Sequence, residues 1–380
     1  MIYLWLTLLL APLLRWRAGV ANRPPRAVLL VQTAKIGDFI CTTPLIRELR
    51  RGWPEAQLHL LTHGMNAPLA QHNPYGARVH LLPPGGLRGW RGRLWLYRLL
   101  RQEAIDATIC VSPNLALWLV PLWAGVALRA SVLPNFGGGS YRRGRGLLTH
   151  GEAHVAGRLL LETEFALLHQ LGLQPRSMAK EAWPAADAEF AADRVVTAGG
   201  GPLIGLGISS GNKLKALGED RLVQLAVGLS RGNAARVVLI GGPDDHLLSK
   251  SLQARLASTG MAERTIDAVG KLDLSRLPAL LARLDVYVGV DSGITYLADA
   301  AGVAVVDLMG PADADDQRPT GPRAVVLRPA LPCAPCSHAF QAPYDCRIGT
   351  RACVVDFDIE RIAAAARNLL RNHTDSSRPS

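Results

Sequence analysis

An α/β fold of two doubly wound, Rossmann-like domains is what this sequence predicts, and three observations predict it. Short apolar runs alternate with helical stretches, the pattern that builds a parallel sheet covered on both faces. In the second half each run leads into a glycine-containing turn, as strands do at the ligand-bearing edge of such sheets. The chain has 380 residues, more than one ordinary α/β core needs and enough for two domains with real interiors.

Residues 1–14 are almost wholly apolar and precede Arg15, Arg17, Arg23 and Arg26. The run is too short to span a bilayer comfortably, and it lacks the basic start and small-residue cleavage site of a secretory signal. It reads as an interfacial helix, with Trp5 and Trp16 at headgroup level and the arginines on anionic lipid. A helix packed on the first domain is the plainer alternative. From Ala27 the order becomes strand (27–31), loop (33–40) and helix (44–51), and further apolar runs at 58–61, 79–82 and 108–111 continue a parallel sheet. An amphipathic stretch at 154–171 leads to a linker at 172–186, where Pro175 and Pro184 interrupt helical periodicity. Strands are then expected at 203–207, 237–240, 286–289 and 303–308. Residues 359–370 carry apolar positions at helical spacing, and 372–380 form a polar tail. The expected organisation is a membrane-surface segment (1–26), a first Rossmann-like domain (27–175), a second Rossmann-like domain (176–355) with a Cys-rich loop at 333–353, and a closing helix and tail (356–380).

The formal charge of +11, in a chain that is 49% hydrophobic and 19% charged, points to an anionic partner. Neither a zinc finger with paired His ligands nor an aromatic RNA-binding signature is present, so nucleic acid is not the expected one. No G-x-G-x-x-G follows the opening strand, which argues against a nicotinamide dehydrogenase.

Four turns carry candidate chemistry, each at the carboxyl end of an expected strand and together expected to line an interdomain cleft. In the first, running from Thr33 to Asp38, Gly37 permits a tight turn and Asp38 offers a carboxylate above the sheet. That carboxylate suits the base that takes a proton from an acceptor hydroxyl, or it simply caps the next helix. The second, Asp291-Ser292-Gly293-Ile294-Thr295, opens a helix whose free N–H groups suit a diphosphate; a plain capping turn is the alternative. In the third, Ser209, Lys213 and Lys215 could neutralise a departing nucleotide diphosphate, or the lysines are merely solvated. The fourth, Gly241 to Asp245, places Asp244 where a ribose hydroxyl could bind, or where an Asp caps a helix. Lys35 and Gly37 of the first turn, with Arg91, Arg98 and Arg142 of two acid-free basic stretches, are the candidate acceptor contacts; a solvated basic face is the bland reading.

Cys41 and Cys110 sit in apolar surroundings and read as small core residues. Cys333, Cys336, Cys346 and Cys353 offer four thiolates in one short loop, suited to tetrahedral zinc or iron, or remain free thiols.

These residues together resemble glycosyltransferase family 9, the lipopolysaccharide heptosyltransferases, from about Ala27 to Leu370. The stretch from Lys35 to Asp38 followed by Thr42-Thr43-Pro44-Leu45 is similar to the family's opening signature, whose aspartate is the proposed catalytic base. Asp291-Ser292-Gly293 with Leu297-Ala298 resembles its phosphate-holding segment, although Tyr296 stands where His is usual. Lys215 is similar in position to a phosphate-binding lysine, but Ala216-Leu217-Gly218 replaces the usual basic-Trp-Pro continuation, which leaves Lys213 as the other candidate. Gly310-Pro311 with Asp313 is like a phosphate-side loop, with Ala312 in place of Thr. The resemblance implies a GT-B fold, an ADP-heptose donor in the C-terminal domain, and a lipid A core acceptor in the N-terminal domain. It also implies inversion at the anomeric carbon, no catalytic metal, and a cytoplasmic enzyme peripheral to the inner membrane. Related autotransporter heptosyltransferases carry an iron-binding cysteine finger, so transfer to protein, or from another nucleotide sugar, is a second expectation. A non-catalytic nucleotide-binding module at the membrane is a third.

Overall fold

The computed structural model describes residues 2–20, 23–135, 137–196 and 199–376, the side chains of 372–376 excepted. The chain forms two compact units, Met1–Met178 and Ala179–Ser380.

In the first unit β1 (Ala27–Gln32), β2 (Gln57–Thr62), β3 (Arg78–Leu81), β4 (Ala107–Cys110), β5 (Leu128–Leu133) and β6 (His150–Ala153) form one sheet in the order β3-β2-β1-β4-β5-β6. Every pairing is parallel, with Leu30 opposite both Leu60 and Ile109. Around it run α1 (Ile2–Ala18), α2 (Ile36–Gly52), α3 (Ala67–Ala70), α4 (Gly89–Gln102), α5 (Leu115–Ala124), α6 (Gly139–Gly144) and α7 (Leu160–Gln170). Strands 1 and 4 are buried along their whole length, which is why they read as unbroken apolar runs rather than alternating ones.

The second unit repeats the plan. Its strands β7 (Leu203–Gly207), β8 (Arg236–Ile240), β9 (Thr265–Asp267), β10 (Val286–Val290), β11 (Ala304–Leu308) and β12 (Ala324–Leu327) are ordered β12-β11-β10-β7-β8-β9, again all parallel. Its helices are α8 (Ala188–Asp193), α9 (Glu219–Ser230), α10 (His246–Ser258), α11 (Leu277–Ala282), α12 (Gly293–Ala300), α13 (Ala352–Val355) and α14 (Ile359–Ser376). The closing helix α14 belongs to this unit, burying Ile362, Ala363, Ala366 and Leu369 in the same core as β7, β10 and α9.

In both sheets the strand order reverses beside the first strand, between β1 and β4 and between β7 and β10. Loops leaving two such strands diverge to opposite faces and open a crevice at their carboxyl ends. Three of the four candidate turns leave β1, β7 and β10, so the topology itself puts them at the ligand-bearing position.

Several sequence expectations need correcting. The helix expected at 44–51 begins eight residues earlier, at Ile36, with Pro44 inside it. Proline cannot donate to the carbonyl of Ile40, and the Thr43 hydroxyl does so instead at 2.8 Å, which makes the interior proline tolerable. Gly37 is consequently helical and not a turn glycine. The helix expected from 154 starts at Leu160, because Gly157 takes a left-handed φ of +79°. Strands 5, 6, 9 and 12 were not anticipated. The closing helix continues to Ser376; residues 377–380 of the expected tail lie outside the described residues.

Candidate active site

In the first unit the segment leaving β1 is pinned from both sides. The Gln32 side chain donates to Thr42 Oγ1 (2.8 Å) and accepts from the Ala34 amide (3.1 Å), while Thr33 N donates to Ser112 Oγ beyond β4 (3.1 Å) and Asn66 Nδ2 to Ala34 O (3.1 Å). Lys35 occupies the N-cap position of α2 without a side-chain cap bond, and its side chain is exposed. Asp38 stands in the first helical turn, half-buried, so it is not the cap that the alternative reading required. A carboxylate there is favoured by the positive end of the helix.

Beside it on α7 lies Glu164, 2% exposed, whose carboxyl is pushed well above the usual carboxylate range by burial and then by the Asp38 charge. Sequence reasoning missed Glu164; its signal was an acid on the buried face of an amphipathic helix. Arg91 lies in the first turn of α4, exposed, its guanidinium 5.5 Å from the Trp90 ring. Arg98 is two turns further along that helix and Arg142 lies on α6; both are exposed.

In the second unit Ser292 is the N-cap of α12, its hydroxyl accepting from Thr295 N and lying 3.1 Å from Thr295 Oγ1, which itself donates to Val290 O at 2.6 Å. The capping reading holds for Ser292, and it leaves the first amides of α12, at Gly293 and Ile294, facing outward from the helix end. Lys215, half-buried, donates from Nζ to Asp291 Oδ2. Tyr296 donates from its hydroxyl to the other oxygen of Asp291 at 2.7 Å, so the residue that replaces the usual His still supplies a polar contact. Lys213 is exposed; of the two lysines, Lys215 is the one held at the turn. Ser209 donates to Asp245 Oδ2, which also accepts from Gly242 N at 2.8 Å, whereas Asp244 is exposed.

Two buried groups beneath this turn escaped sequence reasoning. Tyr287, 1% exposed on β10, reaches the side chains of Thr295 and Ser292 with its hydroxyl. Glycines clear its path: a Cβ at Gly207 would stand 2.2 Å from the phenol oxygen and one at Gly289 2.7 Å. Asp307 on β11 is fully buried, and neither carboxylate oxygen has a hydrogen-bond partner among the described residues. Burial first, and Asp291 second, push its carboxyl well above the ordinary range, which disfavours its charged form. A glycine-lined tyrosine and an acid inside a buried strand were the available signals.

Cys41 and Cys110 are buried, and burial pushes the Cys110 thiol up to about 12. Cys353 is buried, Cys336 and Cys346 half-buried and Cys333 exposed, all as free thiols. Cys353 is raised by burial and by the other three sulfurs, while backbone amides of Arg351 and Ile348 lower Cys346. The four thiols thus share one locality. Among the described residues, however, the group whose potential ligand atoms lie within 4.8 Å of one another is Asp313, Asp316 and His338. The four sulfurs are not gathered to ligand spacing.

Residues 126–344 match the model of glycosyltransferase family 9 (heptosyltransferase). The chain is 24% identical over 291 residues to lipopolysaccharide heptosyltransferase 3 of Escherichia coli K12, covering 73% of this chain and 80% of that one. It is 24% identical over 317 residues to lipopolysaccharide heptosyltransferase 2 of the same strain, covering 79% and 87%. The solved structure of E. coli ADP-heptose lipopolysaccharide heptosyltransferase II superposes with a TM-score of 0.71 at 20% identity, over 92% of this chain and 99% of that one. The family match spans more than half of the sequence, and the paired parallel sheets are the GT-B architecture: the chain belongs to glycosyltransferase family 9, the heptosyltransferases, and is a glycosyltransferase.

Proposed function

We propose that this glycosyltransferase moves heptose from ADP-heptose to the lipid A and inner-core glycolipid of lipopolysaccharide, with inversion, at the cytoplasmic surface of the inner membrane. The observation that carries the reading is the Lys215–Asp291 pair at the amino end of α12: a cation and free amides meet where a diphosphate would sit. The names of the relatives, which include an ADP-heptose enzyme, support the choice of donor.

In this mechanism the diphosphate seats on the α12 amides and draws Lys215 from Asp291. Asp38 takes the proton of an acceptor hydroxyl, whose oxygen attacks the anomeric carbon. The bond from that carbon to ADP breaks, and Lys215 with the helix end stabilises the charge that ADP carries away. Beside Asp38, burial pushes the Glu164 carboxyl well above the usual carboxylate range, which disfavours a second negative charge next to the base. Lys35, Arg91, Arg98 and Arg142 are proposed to meet the acidic acceptor, and Ser209 and the Asp244 turn the nucleoside end of the donor.

Purified enzyme incubated with ADP-heptose and a staged series of truncated core lipids tests this: one lipid gains a heptose, and ADP appears only when both substrates are present. ADP release with no lipid product refutes the acceptor assignment. The cysteine locality favours a second reading, transfer to a protein hydroxyl, and a polypeptide arm in the same experiment separates it. Four thiols suit zinc or iron chemically, but binding would require the sulfurs to draw together; metal content of the purified chain and of a Cys336→Ser, Cys346→Ser variant reads this out. No step of the transfer depends on it.

A further inference from the structure

The first helix has two apolar faces, and the unit covers one. Leu4, Thr7, Ala11 and Leu14 are buried against Leu119, Leu122 and Leu147. The opposite face, over about 25 Å of helix, is bare: Ile2 is 81% exposed, Leu9 78%, Leu13 59% and Trp16 81%, with Trp5 between them at 53%. Their spacing of three and four residues makes a continuous stripe, and its outward side carries no polar band. An apolar surface of this extent on one helix marks a place where something docks.

The surroundings state what kind of thing. Helices α1, α4, α5 and α6 pack together, and none of them contains an aspartate or glutamate. Arginines rim the stripe. The Arg143 guanidinium lies 4.9 Å from the Trp5 ring and that of Arg93 4.3 Å from Tyr3, which fixes cations of α6 and α4 beside the aromatic end of α1. Arg15 and Arg17 donate to the carbonyls of Gly146 and Trp123, the latter at 2.8 Å, and clamp the other end of the helix to the unit. A second copy of the chain would bring an identical positive rim against this one, so self-association is disfavoured. No helix among the described residues is long and apolar enough to cross a membrane.

We propose that the outward face of α1, framed by the exposed Arg142 and Arg143 of α6, is a docking surface for an anionic phospholipid bilayer, with the helix lying in the plane of the interface. Aliphatic side chains enter the acyl boundary, Trp5 and Trp16 sit at headgroup level, and the arginines hold phosphates around them. The inference builds on the membrane-borne acceptor proposed above: it would bring the unit that carries Asp38 to the surface where such an acceptor resides.

Flotation of the full-length protein with vesicles tests it, using phosphatidylglycerol mixed with phosphatidylethanolamine against phosphatidylcholine alone. The protein is expected to float with the anionic vesicles and at least tenfold less with phosphatidylcholine. Leu9→Glu with Leu13→Glu should reduce flotation at least tenfold with an unchanged thermal midpoint, since both positions point away from the packed face. Arg142→Glu with Arg143→Glu keeps the stripe intact and should lower anionic binding several-fold. Absence of flotation, equal flotation with both lipids, or a dimer that the Leu9 and Leu13 variant dissolves would each overturn the proposal. Transfer to a deacylated, water-soluble acceptor separates the two readings: turnover without flotation sinks only the docking surface, and flotation without turnover on any heptose donor sinks only the transferase assignment.

Discussion

Replacing Lys215 with alanine removes the lysine held against Asp291 at the amino end of α12. Its side chain is 16% exposed and that of its partner Asp291 9%, so the ammonium acts in a site where water screens it poorly. A hydrogen bond from such a cation to a diphosphate oxygen contributes about 1.5–3 kcal/mol. Part of that is returned because the lysine must first leave Asp291. A net loss of about 2 kcal/mol corresponds to a roughly 30-fold rise in the Kd of ADP. Asp291 keeps the Tyr296 hydroxyl, so the turn should hold its shape. Titration calorimetry with ADP and with adenosine makes the test specific: adenosine, which has no diphosphate, should bind the variant as it binds the parent. Lys213→Ala, at an exposed position, should shift ADP binding by less than about threefold. An ADP Kd within twofold of the parent for Lys215→Ala, or an equal loss for adenosine, would refute the assignment of this lysine to the diphosphate.

Other consequences follow from the groups beneath the turn. Gly207→Ala drives a methyl to within 2.2 Å of the Tyr287 oxygen and should cost about 1–3 kcal/mol in urea unfolding. Tyr287→Phe in the same chain should recover much of it, because the nearest ring atom is then 3.1 Å away; strictly additive losses would contradict the contact. Asp307 is raised in the folded state above the ordinary carboxylate value of about 3.9. The folded chain therefore keeps a proton that the unfolded chain releases, and this contribution to stability, full below that value, is lost as pH rises toward the folded one. Asp307→Asn should flatten the fall, gaining roughly 1–3 kcal/mol over the parent at pH 8 and little at pH 4; a larger gain at acid pH would contradict the sign. Glu164 shifts in the same direction, so some slope should survive in that variant.

The sequence was most legible where burial was simplest. Strands 1, 7 and 8 announce themselves as apolar runs because both faces of a parallel strand are covered. Strand 5 was hidden by Arg129, buried in its middle and satisfied by the carbonyls of Leu147, Val126 and Ala127, a compensation that only tertiary structure supplies. Strand 9 has three residues and strand 6 reads His-Gly-Glu-Ala, so neither carries a strand signal. The start of α2 was obscured by Pro44, whose vacancy in the helix ladder is filled by a neighbouring threonine. Within the candidate site, the segments at Asp38, Lys215 and Asp291 stood out because a charged residue follows a strand end in each, although Gly37, read as a turn glycine, is helical. Glu164, Tyr287 and Asp307 were not, because a polar residue inside an apolar segment acquires meaning only when its neighbours across the sheet are known.

The most direct test of sugar transfer is mass spectrometry of a core lipid incubated with ADP-heptose and either the parent enzyme or Asp38→Asn. The parent should add one heptose, and the variant should bind ADP normally while its turnover falls by about 10²–10⁴, the range of a lost general base. An unmodified lipid across the whole acceptor series with the parent, or an Asp38→Asn enzyme that transfers heptose at the parent rate, would contradict it.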